Sequence, residues 1–348
     1  MMVKQEANAK ITVESFPYGT AGINGRQDYS RALRAEMASA VDYSAEYCIR
    51  SVLITGTNPL MYGGEAIAGF LSTLTNIISV VAGADLSVNA LPGSVNFSDL
   101  LALRDQGVTR ISFDMQSFIQ SELDQLGRTY ASTALEVFAD MVRQKMTFFD
   151  FDISLSYGLP GQTLESFNTS LQKALQLQPT HLTITPVDSG SKMDLLSFQA
   201  AASETIAKYN LIRYTPFHYS RLEYQCRYNQ TLHTALPRFG FGVGGDWMID
   251  GIHSKNTANL AEYLASDGLP EKIIAQSEPI SAGELAAASI KGQLFNLQPV
   301  PRAEVLPGQQ EGIHRLVSTG YLLADAETIR LTEQGCVHWN QVDSILSE

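Results

Sequence analysis

Alternation constrains this chain more than any other feature. Short β-branched runs at residues 11–17, 51–56, 85–90, 110–115, 148–155 and 181–187 are separated by helical spacing at residues 28–48, 66–81, 97–105, 132–144 and 164–177. A strand returns parallel to its predecessor only through a crossover, usually a helix. Repeated strand–helix units therefore predict an α/β fold with parallel strands. Six units, fewer than the eight of a closed barrel, predict an open, partial (β/α)6 barrel. A doubly wound sheet is the competitor, and no G-x-G-x-x-G follows the first strand to support it. In either fold, chemistry gathers at the carboxyl ends of the strands. Those ends are residues 16–22, 55–62, 89–94, 114–118, 155–163 and 185–191. Thr163 reads as a helix N-cap, with Glu165 favourably placed near the helix dipole.

The pattern changes after about residue 210. Tyr, His and Arg crowd residues 214–228, and FGFGVGG follows at residues 239–245. From Ser281 come two helical stretches, then short strands at residues 321–323 and 328–331, with Gly320 at the join. Helices followed by a hairpin predict a small, winged-helix-like C-terminal domain. The expected division is a barrel over residues 1–240 and a C-terminal domain over residues 241–348.

A net charge of -12 argues against a nucleic-acid groove, which needs a basic stripe, and against an anionic membrane surface as partner. No run reaches the ~18 apolar residues of a membrane span. The start, MMVKQEANAKITVESF, lacks the apolar core of a secretory signal, so the expected compartment is the cytoplasm. The three cysteines, Cys48, Cys226 and Cys336, lie far apart and read as reduced thiols. No Ser–His–Asp, zinc or phosphate-loop spacing supports a hydrolase or an NTPase.

Several motifs occur in a specific order. GVTRISFDMQSF occupies residues 107–118, LGR residues 126–128 and SYGLPGQTLESF residues 156–167. FGFGVGG, KNTANLAEYL (residues 255–264) and RLTEQGCVHWNQV (residues 330–342) follow. This string resembles the radical S-adenosylmethionine (SAM) family of oxygen-independent coproporphyrinogen III oxidases, haem chaperones and anaerobic haem-degrading enzymes. The resemblance spans nearly the whole chain. It implies a partial barrel of radical SAM type, which agrees with the alternation.

The resemblance also implies a [4Fe–4S] cluster held by C-x-x-x-C-x-x-C after the first strand. It implies a G-G-G-T-P turn and polar strand residues that hold SAM. Gln116 and Arg128 match family positions associated with SAM, and Gly56 and Pro59 match the turn. The other positions differ. The loop after the first strand reads FPYGTAGINGRQDYS and holds no cysteine. TGTNP replaces G-G-G-T-P, Asn89 stands where the family has an acid, and Ser154 replaces an aspartate that grips the SAM ribose. A cluster without thiolates loses its charge-matched soft ligands. Several losses at one site point away from a cluster, from SAM and from radical catalysis.

What the resemblance leaves is haem or a related tetrapyrrole as ligand. A haem needs an axial ligand, apolar walls and cations for its propionates. Residues 213–229 offer His218, Tyr219 and Cys226 among Arg213, Arg221 and Arg227, and His233 follows. The competing reading of that stretch is a strand with half-buried aromatics. Asp150 and Asp152 share one strand face by period two, as an acid/base pair or a hydrogen-bonded feature of the barrel mouth. His253, His314 and His338 read as ordinary histidines. Three functions are thus expected in turn: a haem carrier or sensor, a non-catalytic partner of a radical SAM homologue, and an enzyme that still uses SAM.

Overall fold

The structure, a computed structural model, describes residues 4–14, 22–128, 130–145, 149–187 and 193–348. Its strands are β1 Gln5–Thr12, β2 Tyr47–Thr55, β3 Val80–Ala90, β4 Arg110–Gln116, β5 Asp150–Tyr157, β6 His181–Pro186, β7 Ile212–Arg213, β8 His218–Ser220, β9 Arg238–Phe241, β10 Asp246–Ile249, β11 Ile252–Asn256, β12 Ile274–Pro279, β13 Val300–Pro301, β14 Leu322–Ala324 and β15 Thr328–Leu331. Two compact units form: Met1–Phe113 with Leu236–Ile280, and Asp114–Ala235 with Ser281–Glu348.

In the first unit β1, β2, β3 and β4 pair in sequence order, all parallel. Helices Gly22–Ser39, Gly64–Ile77 and Phe97–Asp105 make the crossovers. The last of these starts at a capping box, Asn96 with Asp99, which satisfies two otherwise orphaned N–H groups. On its other edge β1 pairs parallel with β9, and β10, β11 and β12 add antiparallel strands. Arg50 is an extra residue in β2: the register passes from Ala7↔Ile49 to Asn8↔Ser51. Such a bulge shifts the alternation by one. Tyr47 and Ile49 are buried before it, Val52 and Ile54 after it.

Two boundaries differ from expectation. The first strand is Gln5–Thr12, not residues 11–17. Its inward residues are Ala7, Ala9 and Ile11, and alanines give little strand signal. The first helix ends at Ser39, a short 3-10 turn Ala40–Tyr43 follows, and Cys48 lies in β2 rather than at a helix end. Residues 15–21, 148 and 188–191 of the expected segments lie outside the described residues.

One buried carboxylate ties the ends of this unit together. Glu36 is fully buried. It accepts hydrogen bonds from the Gly242 N–H (2.8 Å), Asn256 Nδ2 (2.6 Å) and the Tyr263 hydroxyl (2.6 Å). Burial pushes its carboxyl up to about 7, although the three donors pull the other way.

In the second unit β5 and β6 are parallel, and β8 and β7 follow antiparallel. Helix Leu164–Gln176 begins at the expected cap, Thr163, whose partner is Ser166. A small antiparallel sheet of β13, β15 and β14 contains the expected hairpin. It shares a core with Leu294, Phe295, Leu316, Trp339 and Val342. No helix among the described residues is long and apolar enough to cross a membrane.

Candidate functional site

At the carboxyl ends of the first unit's strands, Gly56 follows β2 directly. Its φ is +138°, and a Cβ there would lie 2.0 Å from the Val13 carbonyl oxygen. The position admits glycine alone because two backbones meet there. Asn89, in place of the family's acid, donates from Nδ2 to Thr55 Oγ1 at 3.1 Å. The family's acid position is thus engaged by the strand beside it.

In the second unit Gln116 and Arg128 converge on one carboxylate. Gln116 Nε2 donates to Asp114 Oδ2 at 3.0 Å, and Arg128 donates to the same oxygen at 2.9 Å. Burial raises the Asp114 carboxyl above its usual range, against the pull of Arg128 and Gln116 and with the repulsion of Asp152. Gln116 itself sits at φ +60°. Such strain in a non-glycine residue concentrates at functional sites. These residues therefore form a built, polar strand end.

The motif string has a structural explanation that sequence reasoning missed. Glu122, buried, accepts from Ser117 (2.6 Å), Gln162 Nε2 (3.0 Å) and Ser166 (2.6 Å). Gln162 Oε1 in turn accepts from the Gly158 and Leu159 N–H groups. One buried carboxylate thus holds both turns, QSF and GLPGQT, in place. The only signal was a lone Glu between the motifs.

Asp152 is not an exposed acid/base partner. Its Oδ1 lies 2.7 Å from His181 Nδ1, and His181 Nε2 lies 2.6 Å from the Tyr214 hydroxyl. Both Asp152 and His181 are buried. The Tyr214 oxygen also accepts from the Cys226 N–H at 3.2 Å. Tyr214→Phe leaves His181 and that N–H short of a partner. It should cost about 1–3 kcal/mol, read as a lower urea midpoint at an unchanged slope.

His218 and His233 lie on the same aromatic cluster. His218 Nδ1 is 2.6 Å from Thr215 Oγ1, and its ring centroid is 6.3 Å from that of Phe295. His233 packs 4.4 Å from Phe295. Its Nε2 accepts from Trp339 Nε1 at 3.2 Å, and its Nδ1 lies 3.3 Å from Asp343. Its Nε2 is therefore occupied within the protein, and its Nδ1 faces the Asp343 carboxylate. Burial raises the Asp343 carboxyl, but His233 and Lys291 outweigh it and hold it below the usual range.

None of the three cysteines follows β1 directly in the sequence. Cys48 pairs with Glu6 near the start of β1, and the loop in question follows its other end. Six residues of strand separate Glu6 from Thr12, roughly 20 Å. Cys226 and Cys336 belong to the other unit and are buried, and burial pushes the Cys336 thiol up to about 11. A high thiol pKa disfavours the thiolate that ligates iron. The Gly242, Gly240 and Gly245 crossing packs backbone on backbone: a Cβ at Gly245 would lie 1.8 Å from the Gly240 oxygen.

No protein-family model matches the chain. Among curated proteins it is similar to the heme chaperone HemW of Escherichia coli, 24% identical over 90% of this chain and 88% of that one. It is also similar to heme chaperone HemW of Lactococcus lactis, 23% identical over 84% and 83%, and of Mycobacterium tuberculosis, 24% identical over 87% and 82%. Among solved structures, the E. coli coproporphyrinogen III oxidase HemN, described as a radical SAM enzyme, matches 99% of this chain and 90% of its own. That match has a TM-score of 0.81 at 15% identity. The expected α/β fold of radical SAM type is the fold found. The chain thus has the fold of the HemN-type radical SAM protein and is similar along most of its length to HemW-type haem chaperones.

Proposed function

We propose that this protein binds haem or a related tetrapyrrole, or hands it on, in the cytoplasm and without radical catalysis. One observation carries the reading. The family's fold and buried motif hub are kept, while the loop after the first strand holds no cysteine and Cys48 lies near the far end of the neighbouring strand. A barrel that has lost its cluster ligands keeps a ligand surface without an electron source. The curated relatives named as heme chaperones support haem as that ligand.

The test titrates the full-length protein with haemin and, separately, with SAM. Haemin should give a saturable Soret shift, and SAM no heat of binding. His218→Ala should abolish or move the Soret shift if His218 is the axial ligand. His233→Ala should keep it and lower stability, because Nε2 already accepts from Trp339 and Nδ1 faces Asp343. No Soret shift from the folded wild type sinks the haem reading, and tight SAM binding with iron uptake on anaerobic reconstitution sinks the non-catalytic one. The rewritten loop on an intact fold also favours a second reading, a non-catalytic subunit paired with a radical SAM homologue. Co-purification with a C-x-x-x-C-x-x-C homologue tests it.

A further inference from the structure

The first unit contains a cavity of about 320 Å3. Its walls include Glu36, Tyr43, Trp247, Asp250 and Asn256, with Asp42 beside them. Thr12, Thr55 and Ala90, at the carboxyl ends of the parallel strands, take no part in its lining. It is therefore separate from the strand-end residues discussed above. Its volume is at the lower end of the range for small-molecule sites.

Three independent features describe its occupant. First, the lining carries the carboxylates of Glu36, Asp42 and Asp250, and no Lys, Arg or His among the described residues. Second, two aromatic rings form part of the wall. Trp247 is held edge-on by Phe239 at 5.5 Å and Phe241 at 4.9 Å. Third, Asn256 is 4% exposed and has an unmet acceptor. Its Nδ2 donates to Glu36, Gly242 O and Gly240 O, which fixes the amide's orientation. Its Oδ1 then has no protein partner. The Trp247 indole N–H lies near enough to Glu36 to pull its pKa down, yet makes no hydrogen bond of proper geometry.

An ammonium or guanidinium group has only donors. It meets carboxylates and an unmet amide oxygen, and its body and charge suit aromatic walls. An anion meets the like charges of Asp42 and Asp250. We infer that this cavity binds a small organic cation, an ammonium or guanidinium on a compact aromatic or aliphatic body. The site is independent of any tetrapyrrole bound elsewhere.

Isothermal titration of the full-length protein tests this with phenethylammonium and agmatine as probes. 2-Phenylethanol and 3-phenylpropanoate serve as neutral and anionic counterparts. At least one cation should bind at a single site, about tenfold or more tighter than either counterpart. Asp42→Asn removes a surface charge and should weaken that binding about threefold at low salt, less at high salt. Ser277→Phe, from an exposed position on β12, fills the cavity and should abolish binding while thermal unfolding stays cooperative. Absence of saturable binding by both cations up to about 10 mM overturns the inference. So does equal binding of the counterparts, or undiminished binding in folded Ser277→Phe.

Discussion

Replacing Glu36 by alanine is expected to lower the unfolding free energy by about 3–5 kcal/mol, because buried donors are then left unmet at about 1–3 kcal/mol each. The Gly242 N–H and the Tyr263 hydroxyl lose their acceptor, and Asn256 keeps only its two carbonyl partners. The loss is long-range: Glu36 joins the first helix to residues 206, 220 and 227 positions later. Equilibrium urea unfolding reads the effect as a lower midpoint. Glu36→Gln keeps the shape and separates charge from packing. In the folded protein the Glu36 carboxyl titrates at about 7 against 4.5 when exposed. The folded state therefore holds this proton more tightly than the unfolded state does. The stabilisation is fully present below pH 4.5 and is lost as pH rises through 7. At 1.36 kcal/mol per pH unit, the Glu36 contribution across that window is about 3 kcal/mol. The wild type should fall relative to Glu36→Gln by roughly that amount between the two pH values. Parallel stability–pH curves would show that burial does not hold the proton on Glu36.

The same residue marks what a sequence can and cannot disclose. The parallel strands were legible because each is a run of β-branched residues at a helical interval from the next. The capped helix at Thr163 was legible because a cap is local. Gln116 and Arg128 stood out as motif positions associated with SAM, and the sequence did not disclose that both reach Asp114. Glu36 gave no signal, since one acid in a helix reads as a solvated face until residues 242, 256 and 263 fold over it. Glu122 was hidden in the same way. A His, Tyr and Arg-rich stretch looks like a ligand set, yet His233 is spent on Trp339 and Asp343, and Asp152 is spent on His181. First-strand placement failed because Ala7 and Ala9 pack tightly without looking hydrophobic enough.

Gly56→Ala should be at least as damaging as the loss of Glu36, by about 3 kcal/mol or more, whatever ligand the protein carries. The family resemblance places Gly56 in a cofactor cradle, so a loss of binding in this variant invites a functional explanation. The geometry gives a simpler one. A methyl group would lie 2.0 Å from the Val13 carbonyl oxygen and 2.8 Å from its carbon, at a φ of +138° that a side chain rarely adopts. A clash with backbone cannot be relieved by a rotamer change. Overpacking costs about 1–3 kcal/mol where side chains can yield, and backbone strain adds about 1–3 kcal/mol. What must move is the junction of β1 and β2, whose ladder continues to a hydrogen bond from the Val13 N–H to the Thr55 oxygen at 2.8 Å. Urea unfolding without added ligand should therefore show the full loss. A Gly56→Ala protein of wild-type stability that fails only to bind a ligand would return this glycine to the cradle.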